Sequence, residues 1–256
     1  MKGAMELKPL LSATNVTKIY NKNQMAGLNK VSLDIEQGEF VGIMGASGSG
    51  KTTLLNILST IDRATSGDIV INGVNINKLN EKKAADFRKS HLGFIFQEYF
   101  LLDSLTVKEN IAVPLTLLKK LPQEIETSIN SLADRFGIKE QLSKYPNQLS
   151  GGQKQRVAAS RAIIKEPFIL FADEPTGALD SKSATALLHK LKEVNEELDT
   201  TILMVTHDAY TASFSSRILM FRDGNIINEL NRNGRKRNVF FQEIVDEVTR
   251  IEINNE

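Results

Sequence analysis

Gly45-Ala46-Ser47-Gly48-Ser49-Gly50-Lys51-Thr52 satisfies G-x-x-x-x-G-K-[ST] at every fixed position. These residue types suit one chemistry, the grip on a triphosphate. Phosphate oxygens need several backbone N–H donors at close range, and glycine lets the main chain approach and take dihedrals that other residues avoid. Lys51 supplies a point charge for the β- and γ-phosphates, and Thr52 offers a hydroxyl to Mg2+. With Thr53 beside it, the run from Gly45 to Thr53 is the candidate phosphate-binding loop. The apolar run Phe40 to Met44 precedes it, and an apolar-periodic helix follows from near Lys51, so a helix N-terminus adds positive potential. The loop alone leaves kinase, GTPase, helicase and transporter ATPase open.

The second half of the chain carries two more candidates. Ile169-Leu170-Phe171-Ala172-Asp173-Glu174 reads as an apolar strand ending in two carboxylates. Asp173 is placed to hold the shell of a Mg2+ ion beside the phosphates, and Glu174 to orient or deprotonate an attacking water. The duller alternative is that the pair caps a helix after Pro175. Leu149-Ser150-Gly151-Gly152-Gln153 precedes an apolar-periodic helix that Ser150 can cap. Its two glycines leave the N-terminal amides open, which makes a second anion-binding helix end, suited to another nucleotide. A plain cap and turn is the alternative for that segment taken alone.

The elements that must position these residues read as mixed α/β. VSLDIEQGEF alternates and turns at Gly38, which predicts an early antiparallel strand. Asp68 to Ile71, ended by Asn72-Gly73, predicts a strand and turn. His91 to Gln97, Phe168 to Ala172 and Thr201 to Val205 are further short strands, the last two each preceded by a helix. Between Leu105 and Tyr145 the period becomes helical: Leu105, Ile111, Leu115 and Leu118 share one face, and Ile125, Ile129, Leu132 and Phe136 another. Gly137 fits the position just past a helix end. Strands alternating with helices predict a mainly parallel sheet. The fold expected is a P-loop α/β core with an N-terminal antiparallel β subdomain and an inserted helical subdomain at about 98–160. The core would span 10–235. After a basic cluster, Arg232 to Arg237, residues 236–256 would form a helical extension whose apolar stripe is Val239, Phe240, Ile244 and Val248.

Composition narrows the function classes. The net charge of +1 gives no electrostatic case for nucleic acid or an anionic membrane. The chain has no cysteine, so thiolate catalysis and cysteine-bound metals are excluded. Its N-terminus lacks the apolar core of a secretory signal, and its longest apolar stretch, Ile111 to Leu118, is broken by Pro114 and Thr116. A spanning helix needs about 20 apolar residues, so a membrane role must come through a partner.

GASGSGKT, LSGGQ and FADEP, in this order, resemble the ABC ATPase family along essentially the whole chain. The resemblance implies a head-to-tail homodimer that sandwiches two ATP molecules with Mg2+, the phosphate loop of one copy facing LSGGQ of the other. It implies further roles residue by residue. Tyr20 in TKIY matches the aromatic that stacks on adenine, although Asn21 stands where a glycine often follows. Gln97 in GFIFQ matches the glutamine that contacts Mg2+ and reports on the transport partner. Asp180 in ALD matches the loop that crosses the dimer interface, and His207 in MVTHD the switch histidine near the γ-phosphate. Lys51, Glu174 and His207 are thus the candidate catalytic residues, and Thr52, Gln97 and Asp173 the candidate metal ligands.

ADEPTGALDSKSA and GFIFQEYFLLDSLTVKENI look like the branch that holds lipoprotein-release and macrolide-export ATPases. GASGSGKTTLLNILSTID, LGFIFQEY and VFFQEI resemble the bacitracin-export type within it. That resemblance implies a separate permease, resistance to peptide antibiotics, a place on the cytoplasmic face of the membrane, and often partnership with a sensor histidine kinase. A regulatory module that signals through a membrane partner, or a lipoprotein-release ATPase, would share every motif. An ATPase acting on ribosomes or DNA is disfavoured by the absence of a basic excess. The segment Tyr99 to Leu102 is expected either to dock a permease helix or to serve as subdomain core.

Overall fold

A computed structural model describes residues 8–20 and 27–253; Asn21 lies outside them. Two strands open the chain, β1 (Leu11–Lys18) and β2 (Leu28–Ile35), followed by β3 (Phe40–Met44) and α1 (Lys51–Leu58). Next come β4 (Ser66–Ile71), β5 (Val74–Asn75), α2 (Glu81–His91) and β6 (Leu92–Phe96). Three helices follow, α3 (Val107–Leu117), α4 (Pro122–Arg135) and α5 (Gly151–Ile163). The chain then returns to α/β alternation with β7 (Ile169–Asp173), α6 (Ser181–Leu198), β8 (Thr201–Thr206), α7 (Ala209–Ala212), β9 (Arg217–Arg222), β10 (Asn225–Asn231) and α8 (Arg237–Ile253).

The strands form two sheets. The small one is antiparallel, in the order β2-β1-β4-β5. The large one runs β10-β9-β3-β8-β7-β6, with β9, β3, β8, β7 and β6 mutually parallel and β10 an antiparallel edge. Its central strands β3, β8 and β7 are mainly apolar because both faces are covered. On one face Val41, Ile43, Phe171, Leu203 and Val205 pack with α1 and the small sheet. On the other, Leu170, Ala172, Ile202 and Met204 pack with α3 to α6. The helix α1 is therefore sandwiched between the sheets, which holds the loop before it rigidly.

Local chemistry ends the helices where expected. Gly137 takes φ +62 just beyond α4. Ser150 caps α5 through a reciprocal pair with Gln153. Asn110 of α3 is buried and ties down the loop before its own helix, accepting from Leu102 N and donating to the carbonyls of Leu102, Leu105 and Thr106. Beyond α5, Lys165 caps the end of α2 by donating to the Arg88 and Lys89 carbonyls at 2.9 and 2.7 Å. Burial pulls its amine down to about 8.

The structure corrects two expectations. His91 closes α2 rather than opening the next strand. In α8 the apolar stripe is Phe240, Ile244, Val248 and Ile251, while Val239 is 51% exposed; one residue along a helix turns the side chain by about 100°. That stripe packs on its own chain, against Met44, Ala212, Ile218 and Met220. The basic cluster is also engaged: Arg237 lies over the rings of Tyr210 and Phe214, and Arg235 pairs with Glu243 at 2.7 Å. Among the described residues no helix is long and apolar enough to cross a membrane.

Candidate nucleotide site

The loop between β3 and α1 opens into a cleft of about 900 Å³ at the C-terminal end of the parallel strands. Open α/β sheets bind ligands at that end. Lining it are Tyr20, Gly45, Ala46, Ser47, Gly48, Gly50, Lys51, Thr52, Thr53, Gln97, Glu174 and His207. Residues far apart in the chain thus converge because β3, β7 and β8 deliver the phosphate loop, the acidic pair and the histidine side by side. Ser49 sits behind the loop, buried, and its carbonyl accepts from Gly224 N at 2.8 Å.

Glycine is required here by space as well as by dihedral angle. Gly50 has φ +102, and a Cβ there would meet the Gly27 carbonyl; one on Gly45 would meet the Phe221 carbonyl. The side chain of Lys51 is buried, and its amine donates to the carbonyls of Gly45 and Ala46 at 2.8 and 2.7 Å. Burial lowers its pKa, opposed by the carboxylates of Glu174 and Asp173. Thr52 Oγ1 lies 3.4 Å from Asp173 Oδ1. Burial raises the Asp173 carboxyl, and Glu174 adds to the shift, while the Thr52 hydroxyl and Lys51 pull it back. A buried amine facing a pair of carboxylates, beneath a glycine-rich loop at the N-terminus of α1, is a donor set that fits a triphosphate and one hard cation. Among the described residues no group of three or more His, Cys, Asp or Glu could hold a metal by itself. A single carboxylate with a hydroxyl matches a Mg2+ site completed by substrate phosphates and water.

Glu174 adopts φ +46, a left-handed conformation that strains a non-glycine residue. Its N–H donates to Val205 O at 2.9 Å, and its carbonyl accepts from Gly177 N at 3.0 Å. No helix begins at Pro175, so the pair caps nothing there; the next helix starts at Ser181. The Glu174 carboxylate meets His207 Nδ1 at 2.8 Å. Asp208, not His207, caps α7. Gln97 lies against the 174–177 turn, so close that a Cβ on Gly177 would come within 3.0 Å of Gln97 Cδ. Tyr20 stands at the far rim, 55% exposed, its hydroxyl 3.3 Å from Thr53 Oγ1 and from Asp62 Oδ2.

Ser150, Gly151, Gly152, Gln153 and Asp180 do not line this cleft. They form a second cluster at the N-terminal ends of α5 and α6. A Cβ on Gly152 would come within 2.6 Å of Ser183 Oγ, and Asp180 Oδ1 accepts from the backbone N–H groups of Lys182 and Ser183. The Ser183 contacts hold the Asp180 carboxyl below the usual range. The cleft also has lining that sequence reasoning missed: Met44, Met220, Phe221, Arg222 and Ile227 from the sheet, and Val248 and Ile251 from α8. The 3.6-residue spacing of the α8 stripe was the available signal for the last two.

Comparison with known proteins follows the same lines. The model of the family described as "ABC transporter" matches residues 28–177. The bacitracin export ATP-binding protein BceA of Halalkalibacterium halodurans is 53% identical over 92% of this chain and 94% of its own. The ABC transporter ATP-binding protein YxdL of Bacillus subtilis is 47% identical over 93% of this chain and 92% of its own. Among solved structures, the dimeric ATP-binding cassette MJ0796 bound to ADP and Pi superposes with a TM-score of 0.79 at 38% identity, covering 86% of this chain and 98% of that one. CbiO1 of Clostridium perfringens, part of the transporter complex cbiONQ, gives 0.82 at 26% identity, with 97% of each chain covered.

Proposed function

The chain belongs to the ABC transporter family and is an ATPase; from that premise we propose that it drives a separate membrane permease that protects cells from bacitracin-like, cell-wall-targeting peptides. The observation that carries the substrate class is its 53% identity, over nearly full length, to a protein named for bacitracin export. The chain would work as a homodimer on the cytoplasmic face of the membrane, with a sensor histidine kinase engaged through the permease.

The site supports a mechanism of in-line attack by water on the γ-phosphate. Tyr20 stacks on the adenine. The loop amides from Gly45 to Thr53 cradle the phosphates, and the Lys51 amine moves from loop carbonyls to phosphate oxygens. Thr52, Asp173 and Gln97 would hold Mg2+, which neutralises charge on the phosphates. Glu174 takes the proton from water while His207, 2.8 Å away, holds its carboxylate in place. Ser150 to Gln153 of the second copy would close the cleft with their helix end, and Asp180 would fix the α6 end at that contact.

Susceptibility of the native host tests the whole reading. A chromosomal Glu174→Gln allele is expected to abolish hydrolysis and sensitise cells selectively to bacitracin-like or lantibiotic peptides. Unchanged susceptibility across a broad peptide panel, with the protein expressed, would overturn the substrate class and shift the function to lipoprotein release or signalling.

A further inference from the structure

Gln155 lies on α5, just inside the helix end that carries Ser150 to Gln153, and its side chain is fully buried. A buried amide is costly unless its hydrogen bonds are made. Its Nε2 donates to two carbonyls, Phe96 O at 3.1 Å and Pro175 O at 2.6 Å. Oε1 has no partner among the described residues. Both acceptors are carbonyl oxygens, so only the NH2 group can face them, which settles the orientation of the amide.

The two acceptors matter because of what they adjoin. Phe96 immediately precedes Gln97, and Pro175 immediately follows Glu174. The proline ring fixes its own φ, so holding the Pro175 carbonyl orients Glu174 through a stiff link. Glu174 is the residue held at φ +46, a conformation that persists only where its surroundings over-determine it. The two segments also touch directly, Gln97 against Gly177. Arg161, lower on the same helix, donates to the carbonyls of Phe100 and Tyr99 at 2.6 and 2.8 Å, so α5 grips the Gln97 segment at a second point. Tyr99 and Phe100 also take positive φ, +57 and +44.

We propose that Gln155 is a positioning residue for hydrolysis: its one amide sets the distance between the Gln97 segment and the Glu174 turn and ties both to the helix that ends at Ser150. It contacts neither substrate nor cation; it acts through backbone carbonyls. The inference rests on the catalytic role given to Glu174 above.

Gln155→Met keeps the volume and removes both donors, and Gln155→Glu keeps the shape. Steady-state hydrolysis by the full-length protein is expected to show a kcat loss of about tenfold or more, as for a catalytic group misplaced by a fraction of an ångström. Affinity for a fluorescent ATP analogue should stay within about threefold, because the phosphate loop and Tyr20 are untouched. Gly177→Ala probes the same junction without altering the core, by pressing a methyl group on Gln97, and should lower kcat with affinity retained. A folded Gln155 variant with wild-type kcat, or one whose ATP affinity falls as far as its kcat, overturns the proposal. If the Gln155 variants do not fold, an unchanged kcat in Gly177→Ala overturns it. Glu174→Gln separates the two levels: wild-type turnover there refutes the site itself, whereas a dead Glu174→Gln beside an active Gln155→Met refutes only the positioning role.

Discussion

Phe240→Ala should destabilise the protein severely, although the residue lies in the last helix and far from the phosphate loop in sequence. Its ring is fully buried among Met44, Ala212, Ile218, Met220 and Ile244. Removing a buried phenylalanine side chain costs about 3–5 kcal/mol when the site cannot collapse. Collapse is resisted here: Met44 and Met220 are paired strand residues of the large sheet, and Arg237 pins the start of α8 onto Tyr210 and Phe214. For a chain of this size each kcal/mol shifts Tm by about 2–4 °C, so a drop of roughly 10 °C is expected. Val239→Ala is the internal control. Its side chain is half exposed, and the change should stay within about 0.5 kcal/mol. Thermal and urea denaturation of both variants, read by circular dichroism, decide the matter. Equal melting of the two would refute the packing of α8 on β3 and β9. Because Met44 directly precedes Gly45, and Val248 and Ile251 line the cleft, a loosened α8 should also weaken nucleotide binding.

Two further outcomes follow from buried charges. Lys51→Met should weaken ATP binding by about 100-fold, since a unit charge about 4 Å from phosphate contributes roughly 4 kcal/mol at an effective dielectric of 20, less the desolvation that Lys51 already bears; unchanged affinity by calorimetry would refute its place at the phosphates. Lys165, held at about 8 by burial against an unfolded value near 10.4, leaves the folded state binding fewer protons between those values, so stability rises with pH across that window, by at most about 3 kcal/mol. Urea midpoints of wild type relative to Lys165→Met at pH 7.5 and 9.5 check this, and a difference that does not change with pH would sink it.

Much of this molecule can be read from spacing because its chemistry is local. The phosphate loop needs its glycines, lysine and threonine contiguous. The strands that deliver the site, β3, β7 and β8, are buried on both faces and so appear as unbroken apolar runs. Other elements leave weaker marks. β1 carries Ser12, Thr14, Asn15 and Thr17 and shifts register twice against β2, which breaks the alternation that would announce it. α2 buries only Ala84 and Phe87, and it packs against the edge strand β6. β10, an edge strand, reads N-I-I-N-E-L-N without strict alternation and shifts register against β9 between Ile226 and Asn228. Gln155 is the clearest case of a residue invisible to spacing. Its partners lie 59 and 20 residues away, and nothing in KQRVAAS marks one glutamine as the amide that holds two strand ends together.

Under the proposed homodimer, the separation of the two clusters would make one copy of the chain half of two sites. The cleft gathers the phosphate loop, Glu174, His207 and Gln97, yet leaves its mouth open. The Ser150 to Gln153 helix end lies outside that cleft, and the tight contacts of Gly152 with Ser183 anchor it there. No side-chain rotation brings the two together, because α5 is packed along its length into the core through Val157, Ala159, Ala162 and Ile163. In the proposed dimer a twofold axis would resolve this geometry: each copy would supply its helix end to the other's cleft, and both sites would close in one step. Under that arrangement Gln155 gains a second consequence. It would link the helix end serving the partner's nucleotide to the Glu174 turn serving its own, so the two hydrolysis sites would be joined through one buried amide on each side.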